Sequence, residues 1–198
     1  QREWLDRLPF DVYSVNVHTG AKQLIGRNYR TAPKWSMNGK WAVMYDPIAQ
    51  VWNKFDGATG KVVNISDAIG YPMFVESYDK PAPAPAYGMA GWTADGNNVF
   101  LYDAYDWWKI DLTGERQPEC LTKGYGRKHG KSIRKMTSNI DKDVFQKDET
   151  VIVSLWDKDT MDEGVYQLDM KGRLRKLMEG NYVYTIHRFS DNHEYCVW

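Results

Sequence analysis

The sequence predicts an all-β chain, and more narrowly a β-propeller fragment of about four blade equivalents, each blade a four-stranded antiparallel sheet. Three observations predict it. Helical periodicity is nearly absent over the 198 residues. Short runs rich in Val, Tyr, Trp and Ile recur, closed by Asn-Gly, Asp-Gly or Thr-Gly turns. The runs also repeat as alternating pairs, with anchor aromatics spaced 57, 53 and 44 residues apart. That is the length of one propeller blade.

Taken in order, "VYSVNVHTGAKQLI" (12–25) reads as the outer two strands of a first blade, a half-blade over about 11–25. "WSMNGKWAVMYD" (35–46) and "VWNKFDGATGKVVNI" (51–65) form the inner and outer hairpins of a blade over about 31–65. "WTADGNNVFLYD" (92–103) and "WWKIDLTGERQPECL" (107–121) repeat that pattern over about 88–121. "FQKDETVIVSLW" (145–156) and "VYQLDMKGRLRKLM" (165–178) repeat it more loosely over about 133–178. "FSDNHEYCVW" (189–198) is a truncated copy, a half-blade over about 183–198. Residues 1–198 are therefore expected to be one partial propeller.

The repeat assigns the aromatics. Trp35, Trp92, Phe145 and Phe189 occupy equivalent positions, as do Tyr13, Trp52, Trp108 and Tyr166. A blade cannot bury its faces alone, so these rings are expected to fill the wedge between neighbouring blades rather than stack on a ligand. Trp107 adjoins Trp108 in one strand and faces the other way. The turn glycines are Gly20, Gly60, Gly114 and Gly172.

Composition excludes several classes. Lys+Arg and Asp+Glu are both 26, so no net field draws the chain to nucleic acid or an anionic surface. Mean hydropathy is −0.63, and no apolar run is long enough for a membrane-spanning helix. Cys120 and Cys196 have neither metal-ligand spacing nor the number for a disulfide framework. No cofactor motif is present. The opening "QREWLDRLPF" has no apolar signal region. Both ends fall in mid-blade, which leads to the expectation that the chain is cut from a longer one.

The "WS-x-x-G-K-x-x-x-x-Y-D" pattern resembles the repeats of TolB-like proteins and of the prolyl oligopeptidase family. "YGMAGWTADGNNVFLYDAYDWWKIDLTGE" and "LTKGYGRKHGKSIRKM" are similar to the N-terminal propeller of bacterial dipeptidyl- or acylaminoacyl-peptidase-like serine peptidases. The resemblance covers essentially the whole chain. It implies a non-catalytic segment that gates or positions a peptide substrate for a C-terminal α/β-hydrolase domain absent from this chain. It also implies a periplasmic, cell-envelope or secreted location. The alternative is a TolB-like protein-interaction propeller without peptidase activity.

Chemistry inside the chain is sparse. No G-x-S-x-G nucleophile elbow occurs, and His18, His129, His187 and His193 fall in different repeats. No catalytic residue is assigned, and the glutamate pair of dipeptidyl peptidases has no clear counterpart. The innermost strands line the channel of a propeller, which makes Lys34, His187 and Arg188 the candidate channel-facing residues. "DKDTMDEG" (157–164) lacks calcium-loop spacing and reads as a solvated connection. "KGYGRKHGKSIRK" (123–135) reads as a blade-to-blade connection rather than a nucleic-acid patch. "YDKPAPAPAYG" (78–88) reads as a stiff inter-blade loop placed to reach toward a parent's active site. Open blade edges at both ends are expected to pair, either within the chain or in a homodimer.

Overall fold

The structure is a computed structural model and describes residues 8–136, 143–184, 188–190 and 194–197. It is nearly all β. The strands β1 (Phe10–Val15) and β2 (Lys22–Tyr29) pair as an antiparallel hairpin. The strands β3 (Lys34–Trp35), β4 (Trp41–Asp46), β5 (Val51–Asp56) and β6 (Val62–Asn64) form a four-stranded meander in that order. Next come β7 (Met89–Thr93), β8 (Asn98–Tyr102), β9 (Trp107–Asp111) and β10 (Glu119–Cys120), a second meander. A single helical turn, α1 (Tyr125–Lys128), leads into β11 (Lys131–Lys135). After β12 (Val144–Phe145), β11 is joined by β13 (Thr150–Asp157), β14 (Glu163–Asp169) and β15 (Leu174–Gly180) in a third sheet. A short hairpin of β16 (Arg188–Phe189) and β17 (Cys196–Val197) closes the described chain.

The sheets are blades stacked face on face, and the second strand of each meander shows why. A strand sends alternate side chains to opposite faces. In β8, Val99 and Leu101 enter one core with Val43, Tyr45 and Trp92. Phe100 and Tyr102, one step out of phase, enter another with Ile133, Val153 and Leu155. In β4, Val43 and Tyr45 face the second blade, whereas Ala42 and Met44 pack on Val12 and Tyr29 of the first hairpin. Such strands are apolar throughout because both faces are covered. The outermost strand β15 has no such neighbour, and its residues are half-buried or exposed.

Three features differ from the sequence expectation. First, Phe145 is not on the inner strand of its blade. Its strand β12 pairs in parallel with β7 of the preceding blade, Val144 opposite Trp92 and Phe145 opposite Thr93. The backbone of Gly91 passes so close that a Cβ there would lie 2.6 Å from the Asp143 carbonyl oxygen. Second, Trp35 and Tyr13 are 53% and 43% exposed, unlike their buried counterparts Trp92 and Tyr166. The unit on that side consists of β1 and β2 alone among the described residues, so two strands leave those rings partly uncovered. Third, Trp107 is the fully buried member of its pair, at 0% exposure, while Trp108 is half-buried. No ladder joins β1–β2 to β16–β17 among the described residues.

Candidate functional site

In a meander, alternate turns lie at one end. The β4–β5, β8–β9 and β13–β14 turns therefore share an end with the long connections 65–88 and 121–130. Strand-final aspartates shape the turns. Asp46 Oδ1 accepts the N–H groups of Ile48 and Ala49, and Asp157 Oδ1 those of Asp159 and Thr160. These are Asx turns, in which a short carboxylate replaces a backbone acceptor. In "DKDTMDEG" the Asp157 carboxylate is thus engaged in holding its own connection.

The β8–β9 turn, Asp103 to Asp106, goes further. Asp103 Oδ1 accepts from the N–H groups of Tyr105 and Asp106 at 2.7 and 2.6 Å. Its Oδ2 accepts from Trp108 Nε1 at 3.0 Å and Arg127 Nη2 at 2.9 Å. Asp106 Oδ1 accepts from Thr122 Oγ1 at 2.6 Å and the Gly126 N–H at 2.9 Å, and its Oδ2 from the Arg127 N–H at 3.0 Å. Both aspartates are almost fully buried. Buried carboxylates stay charged at tolerable cost only when paired and hydrogen-bonded in this way.

Cations and tyrosines complete this corner. Arg127 lies over the Tyr71 ring at 3.8 Å. Burial opposes its charge, but the Asp103 carboxylate outweighs that and holds its pKa above the ordinary value. Arg134 donates to the carbonyls of Ile133 and Asp103, both at 2.7 Å, and lies over Tyr102 at 4.7 Å. Burial lowers the pKa of Arg134 and raises that of the Tyr102 phenol to about 12. Lys158 sits 4.3 Å over Tyr105, and burial, then the Arg134 charge, lowers its pKa.

Every carboxylate oxygen here already has donors, so this corner is a joint rather than an acid–base pair. Cys120 accepts from the Gly124 N–H at 3.2 Å, and burial pushes its thiol pKa up, away from a reactive thiolate. The basic stretch 123–135 is largely engaged internally. Arg127 meets Asp103, Lys131 meets Glu179, and Lys135 meets Asp143. His129 stacks on Tyr125 at 4.1 Å.

A concave feature lies between the first full blade and the Pro-Ala segment. It is a cleft of about 390 Å³. Val43, Tyr45 and Trp52 line its blade side and Tyr78, Pro83 and Pro85 its loop side, with Arg30 and Lys34 also in the wall. The loop is tied down. Phe74 and Ala86 form a bridge, the Val75 N–H donates to the Pro85 carbonyl at 2.9 Å, and Tyr45 Oη donates to the Ala84 carbonyl at 3.0 Å. Tyr102 holds the repeat-equivalent position and likewise grips the next element, accepting from the Lys135 N–H at 3.3 Å.

Of the sequence-predicted residues, Lys34 lines this cleft and stands 3.8 Å from Asp143. Arg188 is exposed on β16, opposite Val197 and apart from the cleft lining. His187 lies outside the described residues. The sequence did not single out Tyr45, Arg30 or the cleft face of Trp52. The paired "MYD" and "LYD" strand ends were the available signal, since both tyrosines anchor a following connection.

No protein-family model matches the chain, and no curated protein does. Among solved structures it is similar to regucalcin from Agrobacterium tumefaciens, described as a calcium-binding protein. The identity is 11% over 83% of this chain, with a TM-score of 0.28. The chain spans 65% of that protein's length. Among the described residues no group of three or more His, Cys, Asp and Glu side chains is placed to hold a metal ion. No helix among them is long and apolar enough to cross a membrane.

Proposed function

We propose that this chain is a non-catalytic β-propeller segment of a prolyl-oligopeptidase-like serine peptidase, and that it positions or gates peptide for a hydrolase domain outside the chain. The observation that carries the reading is a contrast at the loop end of the blades. The buried carboxylates there are saturated by fixed donors, whereas the adjoining cleft presents aromatic, proline and cationic walls. Such a surface recognises ligand without transforming it. The repeat pattern at 35–46 and 92–103 supports the family, and the family supports a periplasmic, cell-envelope or secreted parent.

The reading frame downstream of Trp198 tests this. A G-x-S-x-G pentapeptide between a strand and a helix is expected there. The full-length protein should then be labelled by a fluorophosphonate, while residues 1–198 alone should neither be labelled nor turn over aminoacyl or Xaa-Pro chromogenic substrates. A downstream frame without that motif leaves the TolB-like interaction propeller.

A further inference from the structure

We infer that the open edge of β1 is a docking site for one defined segment, the β16–β17 hairpin of a second copy of this chain, and that the two together make a complete blade. Two copies thereby exchange hairpins. This pairing is independent of the peptidase reading.

Hydrogen bonds shared by the repeat select the occupant. In the first full blade the inner hairpin β3–β4 is closed by Ser36. Its N–H donates to the Trp41 carbonyl at 2.8 Å, and its Oγ accepts from the Trp41 N–H at 3.1 Å. The β16–β17 hairpin repeats both bonds: the Ser190 N–H donates to the Tyr195 carbonyl at 2.9 Å, and Ser190 Oγ accepts from the Tyr195 N–H at 3.0 Å. The outer hairpin β5–β6 is closed by Asp56, whose Oδ1 accepts from the Ala58 and Thr59 N–H groups and whose carbonyl accepts from the Gly60 N–H. In β1–β2, Asn16 does the same for His18, Thr19 and Gly20. So β16–β17 is built as an inner half-blade and β1–β2 as an outer one.

The receiving site is already in place. Val12 and Tyr29 pack on Ala42, Met44 and Phe55, and Gln23 Nε2 donates to the Gly60 carbonyl at 2.8 Å. The hairpin thus sits where the outer half of a preceding blade belongs. What it leaves uncovered is what an inner half would cover. Trp92 is buried in one core with Trp41 and Val43 of the preceding blade. Its counterpart Trp35 is 53% exposed, beside the groove between β1–β2 and the first full blade. Tyr195 and Val197 match Trp41 and Val43 and are themselves exposed.

A second copy is the source rather than the same chain. Both halves are folded in one chain, yet no ladder joins them among the described residues. Tyr13 and Val15 on one half, and Tyr195 and Val197 on the other, stay open to solvent. A strand edge with apolar neighbours of this kind recruits a partner.

Register follows from the shared turns. Ala42 pairs with Phe55 and Val43 with Lys54. Counted from Ser190 and Asn16, Cys196 comes opposite Val15, and Val197 opposite Ser14. Directly paired residues have Cα atoms about 4.5–5.5 Å apart. A disulfide spans about 4.4–6.8 Å.

The test uses the native Cys196 as one thiol. Val15 is exposed, so Val15→Cys leaves the fold intact. Oxidised with diamide at high micromolar concentration, that variant should give a two-copy species on a non-reducing gel. Its tryptic peptides should join position 15 to position 196. Adding Cys196→Ser should abolish the link. Tyr13→Cys and Val17→Cys stand two places out of register, about 7–8 Å from Cys196, and should link several times less. No link, equal links from all three positions, or a link from position 15 to another residue overturns the docking site. A 15–196 link inside a single 23.0 kDa chain overturns the exchange between copies.

Discussion

Gly114 and Gly172 close hairpin turns of the same kind at nearly the same backbone angle, φ +83° and +82°, yet their substitutions should differ. A Cβ at Gly114 meets nothing within 4 Å, whereas one at Gly172 runs into the Leu121 carbonyl oxygen of the preceding blade. Gly114→Ala should therefore cost only the left-handed backbone term, about 1 kcal/mol. Gly172→Ala should cost about 3 kcal/mol or more, because backbone must move. Urea unfolding midpoints of the two variants compare them directly, and equal losses would refute the blade contact. Both glycines are legible in the sequence as turn residues. Their difference is not, since it depends on a contact about fifty residues away in the chain. Trp107 and Trp108 teach the same lesson. Alternation says that they face opposite ways, but not that Trp107 is wholly buried in one core while Trp108 packs, half-buried, against the other.

At the scale of elements, the β8–β9 turn is the anchor of the connection to the third blade. Asp106 accepts from Thr122 Oγ1 and from the N–H groups of Gly126 and Arg127. Asp106→Ala should cost about 3 kcal/mol by orphaning buried donors. It should also speed amide hydrogen exchange at Gly126 and Arg127, while exchange in β4 and β5 changes little. A second test lies across the third blade, where the hydrogen bond from Lys131 holds the Glu179 carboxyl below the ordinary glutamate range. A depressed folded-state pKa gives stability that is present above the unfolded value and lost as pH falls through the folded one. Glu179→Gln should thus be less stable than the parent at neutral pH and equal to it in acid, read by thermal melts across that window. The strands themselves were legible from alternation and turn residues. The place of Phe145 was not. Its match to Trp92 reflects a shared role in ring packing, for it touches Phe100 at 5.6 Å and Trp107 at 6.1 Å, but not a shared strand position.

For the whole molecule, the period of the repeat makes an arc of blades legible, because stacking is the only way such sheets bury both faces. The cleft was legible only in part. The Pro-Ala composition marks a stiff loop, but not the blade it folds against. Ile69, Met73, Phe74 and Ala86 reach that blade by packing on the core of Val43, Tyr45 and Trp52, with the Tyr45 hydroxyl donating to the Ala84 carbonyl. The edges of the arc carry a further expectation. Among the described residues β1 has a ladder only to β2, and Tyr13, Val15 and Val17 on or beside it are exposed. Such an edge recruits another strand. At high micromolar concentration the chain is expected to pair as two copies, and Val15→Lys should return it to a monomer. Light scattering after size exclusion decides this, since a strictly monomeric 23.0 kDa species at every concentration would exclude the pairing.

The parallel contact of β12 with β7 has a mechanical consequence. The chain leaves β11 in the third blade, touches the inner edge of the second, and only then returns to β13. Tension applied along the chain cannot peel these two blades apart one bond at a time. It must first shear the ladder in which the Trp92 N–H donates to the Asp143 carbonyl and the Ala94 N–H to that of Phe145. The stitch couples residues 89–180 into one load-bearing unit. In an optical trap they should extend in a single rupture, and two separate steps would show that the stitch carries no load.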